Sequence, residues 1–346
     1  MPYCVSNNHS ASMSAARVSR GGNEQDVSTT TVHPKPAFTK VCFRPEADYG
    51  HYTHGSVIFL LSQSFFSTST DGRSPASFEG CGTPHKSNIR REMSIPRPYR
   101  RTCRQFADGS YSEGGRWMYL LHPKYATDPR HYVRAFLLLQ QDLLELFSFI
   151  EPSDSNLNTY SHRIQQLLMR TCVEIEANFT AIFLDNEFPR ANQRLNIGDY
   201  KLINRSHRLS AFEIRIPGWK GSHGHRKPFA NWNTDEPLRW YQAYNKSKHN
   251  RHENFHLATF DALMDAFAGL NVLISAQFMN EEYGPGSKSL SISGNYTYEG
   301  NDGMEASIGD MLRIRFPTDW PTVDSYEFDW SALSTLDDPF VNYVYE

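Results

Sequence analysis

Apolar residues recur every three or four positions in three long segments between residues 128 and 282. This is the period of the α-helix, and it gathers the apolar side chains on one face of each helix. Such stripes must be buried against one another, which leaves few folds open. The stripes are Tyr132, Phe136, Leu139, Leu143, Leu146 and Ile150; Ile164, Leu167, Leu168, Cys172, Ile175, Phe179, Ile182 and Phe183; and Phe260, Leu263, Phe267, Leu270, Ile274 and Phe278. The sequence therefore predicts a mainly α protein built on a helical bundle.

Start and stop signals bound these helices. Asp128-Pro129 combines a capping carboxylate with a proline at the first helical position, and Glu151-Pro152 ends the first helix. Thr159 or Ser161 is expected to cap the second helix. Because the polar loop between the two helices is short, we expect an antiparallel bundle. Residues 234–237 (TDEP) repeat the cap-plus-proline signal and predict a further helix.

A non-helical insertion separates the second helix from that further helix. Residues 211–216 alternate between apolar and polar side chains and stop at Pro217-Gly218, as a half-buried strand does. Residues 227–232 are the expected return strand. The sequence therefore predicts an inserted β-hairpin at about residues 209–232.

The two ends of the chain differ from this helical domain, which we place at residues 117–285. Residues 1–105 are low-complexity, and too few of them are apolar to offset the entropy of ordering, so we expect disorder there. Their basic end, residues 89–104, is either a solvated linker or a contact for anionic partners. Residues 286–346 should form an irregular aromatic tail packing on the bundle through Trp320, Phe328, Trp330, Phe340 and Tyr343.

Composition narrows the cellular setting. The formal charge of −3 gives the whole chain no signature of a nucleic-acid binder, so such a role would need a local basic surface. The five cysteines are spread out and form no CxxC pair, which favours a reducing compartment. No apolar run reaches the length of a membrane helix, and no secretory leader pattern opens the chain. We expect a cytoplasmic protein without membrane contact.

The candidate site lies at residues 244–256. His249, His252 and His256 are spaced by three and four, and an unbroken helix would continue their face into the stripe of Phe260. Lys248 and Arg251 flank them. Cationic groups pointing into a bundle are costly unless they are paired or used, which makes this a candidate site. The alternative is a structural role, with the histidines bonded to backbone carbonyls and to Asp142, Glu174 or Glu176.

The residues at this site form two patterns: Tyr244-Asn245-x-x-Lys248-His249-x-Arg251, and Arg251-x4-His256 with His252 after the arginine. Over residues 128–282 the chain thereby resembles the HEPN-like superfamily of helical bundles, including uncharacterised bacterial proteins. The resemblance implies a protein that cleaves or binds RNA without metal or cofactor, in a bacterial defence or toxin-type system, and that can form a homodimer.

Roles for individual residues also follow from the resemblance. Arg251 would bind the scissile phosphate, and His256 would move the proton of the 2′-hydroxyl or of the leaving oxygen. Lys248 and His249 would be supporting cations, while Tyr244 and Asn245 would line the site. On a straight helix Arg251 and His256 point about 140° apart, so they converge only at a bend or across a dimer axis. A non-catalytic binding module using the same pocket is the alternative.

A zinc peptidase is a further alternative, because residues 252–256 read HENFH. His252 and His256 would bind zinc, and Glu253 would be the general base. The positive charge of Arg251 beside the first histidine disfavours a metal. Thr259 stands where the extended motif has glycine, and the nearest downstream glutamates lie about 38 Å along the helix.

Overall fold

The computed structural model describes residues 94–284 and 302–346. The helices are α1 (Pro129–Phe147), α2 (His162–Leu184), α3 (Ile197–Lys201), α4 (Ile203–His207), α5 (Arg239–His249), α6 (Arg251–Asn254), α7 (Phe260–Phe278) and α8 (Trp330–Leu333). The strands are β1 (Glu213–Arg215), β2 (His225–Arg226), β3 (Glu305–Ala306) and β4 (Arg313–Arg315). The expected disorder of residues 1–93 and the predicted course of residues 286–301 lie outside the described residues.

Two ion pairs define the direction of the first long helices. Arg163 near the start of α2 binds Glu145 near the end of α1. Arg170, farther along α2, binds Asp142, which lies nearer the start of α1. The two helices therefore run antiparallel, and α5 and α7 complete the bundle by packing against α2 and each other. The predicted mainly α fold and the antiparallel packing of its first two long helices are confirmed.

α7 lies at the centre of this bundle. Its sequence is apolar on every side, and a helix of that kind is stable only when it is surrounded by protein. All but two of its residues, Asp261 and Asp265, are buried. The Phe260 backbone N–H donates to the Thr159 carbonyl (2.7 Å), and near the other end Gln277 Nε2 donates to Asn178 Oδ1 (3.0 Å). α7 is therefore parallel to α2 and antiparallel to α1.

The predicted helix starts hold only in part. α1 begins at Pro129 as expected, but Asp128 adopts a left-handed conformation (φ 46°) and its carboxylate makes no capping hydrogen bond. Ser161 caps α2, with its Oγ accepting from the Ile164 N–H (3.2 Å). α5 begins only at Arg239, after the TDEP signal, and its N-cap is Leu238.

The inserted hairpin is confirmed, with a different return strand. β2 comprises His225 and Arg226, and residues 227–232 are not extended. Pro228 has no N–H to donate to a sheet, and the chain beyond it turns into a 3₁₀ helix at Ala230–Asn233.

The sheet has more strands than the hairpin. Its order is β2-β1-β4-β3, and all three pairings are antiparallel. Ile214 at its centre pairs with Arg226 on one side and with Ile314 on the other. The tail, predicted to be irregular, thus supplies two strands. Every second side chain of its second strand region points into the core (Leu312, Ile314 and Phe316), and β1 of the hairpin provides the strand with which β4 pairs.

Residues 94–105 differ from the expected disordered segment. Arg101 is fully buried and Arg104 is 1% exposed. Arg101 forms an ion pair with Asp185, and the Arg104 guanidinium lies 5.0 Å from the ring centroids of both Tyr99 and Trp320. Contacts with residues distant in sequence bury these arginines, and the composition of the segment does not reveal such contacts.

The aromatic side chains of the tail contact the rest of the fold. Trp320 and Phe340 are buried, and the others in the expected set pack against the core: Phe328, Trp330 and Tyr343. In residues 94–284 and 302–346, no helix is both long and apolar enough to cross a membrane.

Candidate functional site

The helix expected to run through residues 244–256 is broken. α5 ends at His249, Asn250 leaves the helical conformation (φ −136°, ψ 74°), and α6 is a single turn followed by a 3₁₀ helix at Phe255–Leu257. His249, His252 and His256 are all exposed. The expectation that they share the core-facing stripe of α7 is therefore wrong.

The break has an identifiable cause at the start of α7. The Thr259 hydroxyl accepts the Ala262 N–H (3.2 Å), which makes Thr259 the N-cap of a new helix. The N–H of Asp261 donates to the Leu157 carbonyl (3.0 Å), next to the bond between Phe260 and Thr159. The connection before α2 thus fixes where α7 begins, and residues 250–259 must turn to reach it.

A cleft of about 720 Å³ opens between α2 and the α5–α6 segment. α2 contributes two arginines seven positions apart, Arg163 and Arg170, which therefore lie on one face two turns apart. Lys248, His249 and Arg251 face them. The remaining lining residues are Asp142, Gln165, Gln166, Leu167, Met169 and Ser247.

The lining of this basic cleft is electrostatically unbalanced. Asp142 is the only carboxylate among the described lining residues, and it binds Arg170. Arg163 is paired with Glu145 (2.5 Å). Across residues 94–284 and 302–346, Lys248 and Arg251 make no ion pair. The cleft therefore carries excess positive charge that is available to an anion.

Lys248 is held in place by a hydrogen-bonded chain that reaches into the bundle. Its Nζ donates to the Tyr244 hydroxyl (2.8 Å) and lies 4.8 Å from the centroid of that ring. Tyr244 and Tyr241 both donate to the Glu176 carboxylate, at 3.4 and 2.9 Å. Burial and the Glu176 charge hold the pKa of both tyrosines well above the ordinary value, so each phenol stays a donor.

The structure brings together some of the predicted site residues and separates others. Lys248, His249 and Arg251 line one cleft, with Tyr244 buried behind Lys248. Neither His252 nor His256 belongs to the described lining of the cleft, nor does the half-buried Asn245. Arg251 therefore lines this cleft without His256.

Sequence reasoning missed the contribution of α2. The seven-residue spacing of Arg163 and Arg170 was a usable signal, because it places two guanidinium groups on one helix face. In the structural alternative, Glu176 or Asp142 would bond to the histidines, but these two carboxylates bind other partners. Glu176 accepts from two tyrosines, and Asp142 binds Arg170.

The HENFH pattern has no complete ligand set in the described ranges. α6 ends at Asn254, so His252 and His256 do not occupy successive turns of one regular helix. Among the described residues, no three His, Cys, Asp or Glu side chains are grouped closely enough to hold a metal ion. The third ligand that a zinc peptidase needs is therefore not found near these histidines.

No family model, curated protein or solved structure matches the chain.

Proposed function

We propose that the protein is a helical module that binds RNA in the basic cleft. The observation that carries the proposal is that Lys248 and Arg251 line the cleft without an ion-pair partner among the described residues. Arg163 and Arg170 line it too, each paired with one carboxylate. Guanidinium groups match phosphate oxygens with paired hydrogen bonds, and an ammonium adds a point charge. On a chain of net charge −3, this concentration of charge favours a polyanion as the ligand.

The arrangement supports binding more directly than it supports cleavage. Arg251 faces the cleft, whereas His256 does not, so a catalytic pair of these two residues would require a second copy of the chain. We propose such a homodimer only for that reaction, and with it a role in bacterial defence. We propose a cytoplasmic location, which the buried free thiols of Cys103 and Cys172 support.

RNA cleavage within one chain is a second candidate function, favoured by the position of His249. This imidazole lines the same cleft as Arg251. Arg251 would bind the phosphate, and His249 would accept the proton of the 2′-hydroxyl as its oxygen attacks the adjacent phosphorus. The bond to the 5′-oxygen then breaks, and that oxygen takes a proton from water to become a 5′-hydroxyl, leaving a 2′,3′-cyclic phosphate on the other fragment.

Binding is tested by fluorescence anisotropy with a labelled single-stranded RNA across a range of salt concentrations. Arg251→Gln and Lys248→Gln should each weaken binding and reduce the slope of log Kd against log salt by roughly 0.7. The matched control is Arg194→Gln, which removes an exposed charge outside the cleft lining. Absence of RNA binding, or equal affinity for the Arg251 variant and the control, would refute the proposal.

Cleavage is tested separately by incubating the protein with total RNA in EDTA. Fragments ending in 2′,3′-cyclic phosphate that disappear in His249→Ala but persist in His256→Ala would support the pair in the cleft. The opposite pattern would support the pair across a dimer. Intact RNA together with tight binding would leave the binding module as the function.

A further inference from the structure

Three aromatic side chains meet where the α6 turn contacts the start of α2. The Phe255 ring lies 5.6 Å from the Tyr160 ring, edge to face, and 4.6 Å from the His162 ring at a tilt of 35°. We refer to Tyr160, His162 and Phe255 as the aromatic platform. Its members come from segments about ninety residues apart in sequence, so the fold assembles it.

The platform is open to solvent. Tyr160 is 50% exposed, His162 is exposed and Phe255 is half-buried. Elsewhere in the bundle, aromatic rings such as Phe136 and Phe267 stack while fully buried. Rings that contact each other and still present surface to water can accept another planar group.

The aromatic platform neighbours residues of the basic cleft along the chain, both at the start of α2 and after α6. His162 directly precedes Arg163, which lines the cleft. Phe255 follows Arg251 by four residues and begins the 3₁₀ helix that comes directly after α6. Because consecutive Cα atoms are about 3.8 Å apart, the backbone of His162 lies next to that of Arg163, and an RNA strand bound in the cleft can extend to the rings.

We propose that the aromatic platform stacks the unpaired bases of an RNA strand whose phosphates lie in the basic cleft. This inference rests on the proposed RNA binding and adds a base-binding site to it. Cations that follow the backbone beside rings that stack on bases are the combination that binds single strands. In a duplex the faces of the bases are covered by stacking on neighbouring bases, so a duplex should bind through charge alone.

The fold does not depend on these rings to hold α7 in place. The backbone bonds from Phe260 to Thr159 and from Asp261 to Leu157 join the same segments. Removing a ring therefore leaves the local backbone connection intact. Binding and stability can thus be measured as separate effects of the same substitution.

The experiment compares two labelled strands of equal length, one of oligouridine and one of abasic ribose phosphate, by anisotropy at one salt concentration. The wild-type protein should bind the base-bearing strand more tightly, by roughly tenfold. Tyr160→Leu and Phe255→Leu should each reduce that preference severalfold and leave binding of the abasic strand unchanged. Phe255→Tyr, which keeps the ring, should restore it.

The control is Phe149→Leu, which removes an aromatic ring that is 80% exposed and outside the platform. Thermal unfolding of every variant checks that the fold persists. Equal affinity of the wild type for the two strands, or an unchanged preference in both leucine variants, would overturn the inference while RNA binding stands. If Arg251→Gln loses binding to both strands while neither leucine variant loses any binding, charge provides the whole interaction and the inference fails. If the wild type binds neither strand, the proposed function fails first.

Discussion

The ammonium group of Lys248 reaches the cleft along the face of the Tyr244 ring and ends on its hydroxyl. Tyr244→Phe keeps the ring and removes that acceptor, so the lysine should move more freely. We expect RNA affinity to fall by roughly two- to tenfold, the size of one hydrogen bond, as measured by anisotropy. Tyr241→Phe is the matched control, because Tyr241 also donates to Glu176 but does not contact Lys248. Equal losses in the two variants would contradict the positioning role.

His207 makes the stability of the fold depend on pH. Burial holds its pKa at about 3, against an ordinary value of 6.5, while its Nε2 bonds the Arg101 carbonyl (2.8 Å). Below pH 6.5 the unfolded chain therefore binds a proton that the native chain does not. Stability contributed by this group is complete above pH 6.5 and is lost as pH falls toward 3, at about 1.4 kcal/mol per pH unit.

The measurement is urea unfolding of wild type and His207→Gln between pH 7 and pH 4.5. The variant starts from lower stability, but it should lose less on acidification, because glutamine has no proton to gain. His252→Gln, which alters an exposed histidine, should follow the wild-type curve. If the free energies of unfolding of wild type and His207→Gln fall in parallel with pH, His207 is not the source of the pH dependence.

At the scale of the elements, the hairpin loop is organised around one carboxylate. Asp154, before α2, accepts hydrogen bonds from Trp219 Nε1 (2.7 Å) and the Ser222 N–H (2.8 Å). Gly221 lies between those donors at φ +126°, and a Cβ there would be 2.2 Å from the Asp154 Cγ. The loop therefore admits no side chain at this position.

Gly221→Ala should lower the free energy of unfolding by about 1–3 kcal/mol, from backbone strain and the displaced carboxylate. Gly218→Ala is the matched control in the same loop. It also has a positive φ (+73°), but nothing lies within 4 Å of its Cβ, so only strain is added. Chemical denaturation of the two variants measures the difference, and equal costs would contradict the close approach to Asp154.

The helices could be predicted from sequence because their stripes are local. Every apolar residue expected in the α2 stripe is buried, from Ile164 to Phe183. The break at Asn250 could not be predicted in the same way, since the three histidines continue the period of α7 without interruption. It depends on the bond from Phe260 to Thr159, a contact between segments distant in sequence.

The residues of the candidate site also differ in whether a local sequence pattern or a contact between distant segments determines their position. Lys248, His249 and Arg251 were predicted from one short segment, and they do share a cleft. Arg163 and Arg170 lie on another helix, so their place opposite that segment follows only from how α2 packs. His256 was joined to Arg251 by a motif spacing, and the turn after Asn254 carries it outside the cleft lining.

At the scale of the whole molecule, Arg101 ties the N-terminal end of the described chain to the bundle. Its guanidinium is fully buried and forms an ion pair with Asp185 at the end of α2. It also donates to Gln277 Oε1 on α7 (3.0 Å) and lies 4.6 Å from the centroid of the Tyr132 ring on α1. Three bundle helices thus converge on one residue from a segment that composition assigned to disorder.

This cluster and the basic cleft lie at opposite ends of α2, because 22 residues of helix separate Arg163 from Asp185, about 33 Å. Arg101→Met should therefore lower stability by about 2–4 kcal/mol, because the Asp185 carboxylate, 14% exposed, loses its ion-pair partner. Arg100→Met, which removes a more exposed arginine paired with Asp338, should cost less than about 1 kcal/mol. Urea unfolding measures both. Sites this far apart act independently, so the folded Arg101 variant should bind RNA with wild-type affinity. A weakened interaction in that variant would mean that the cleft depends on the packing of the whole bundle.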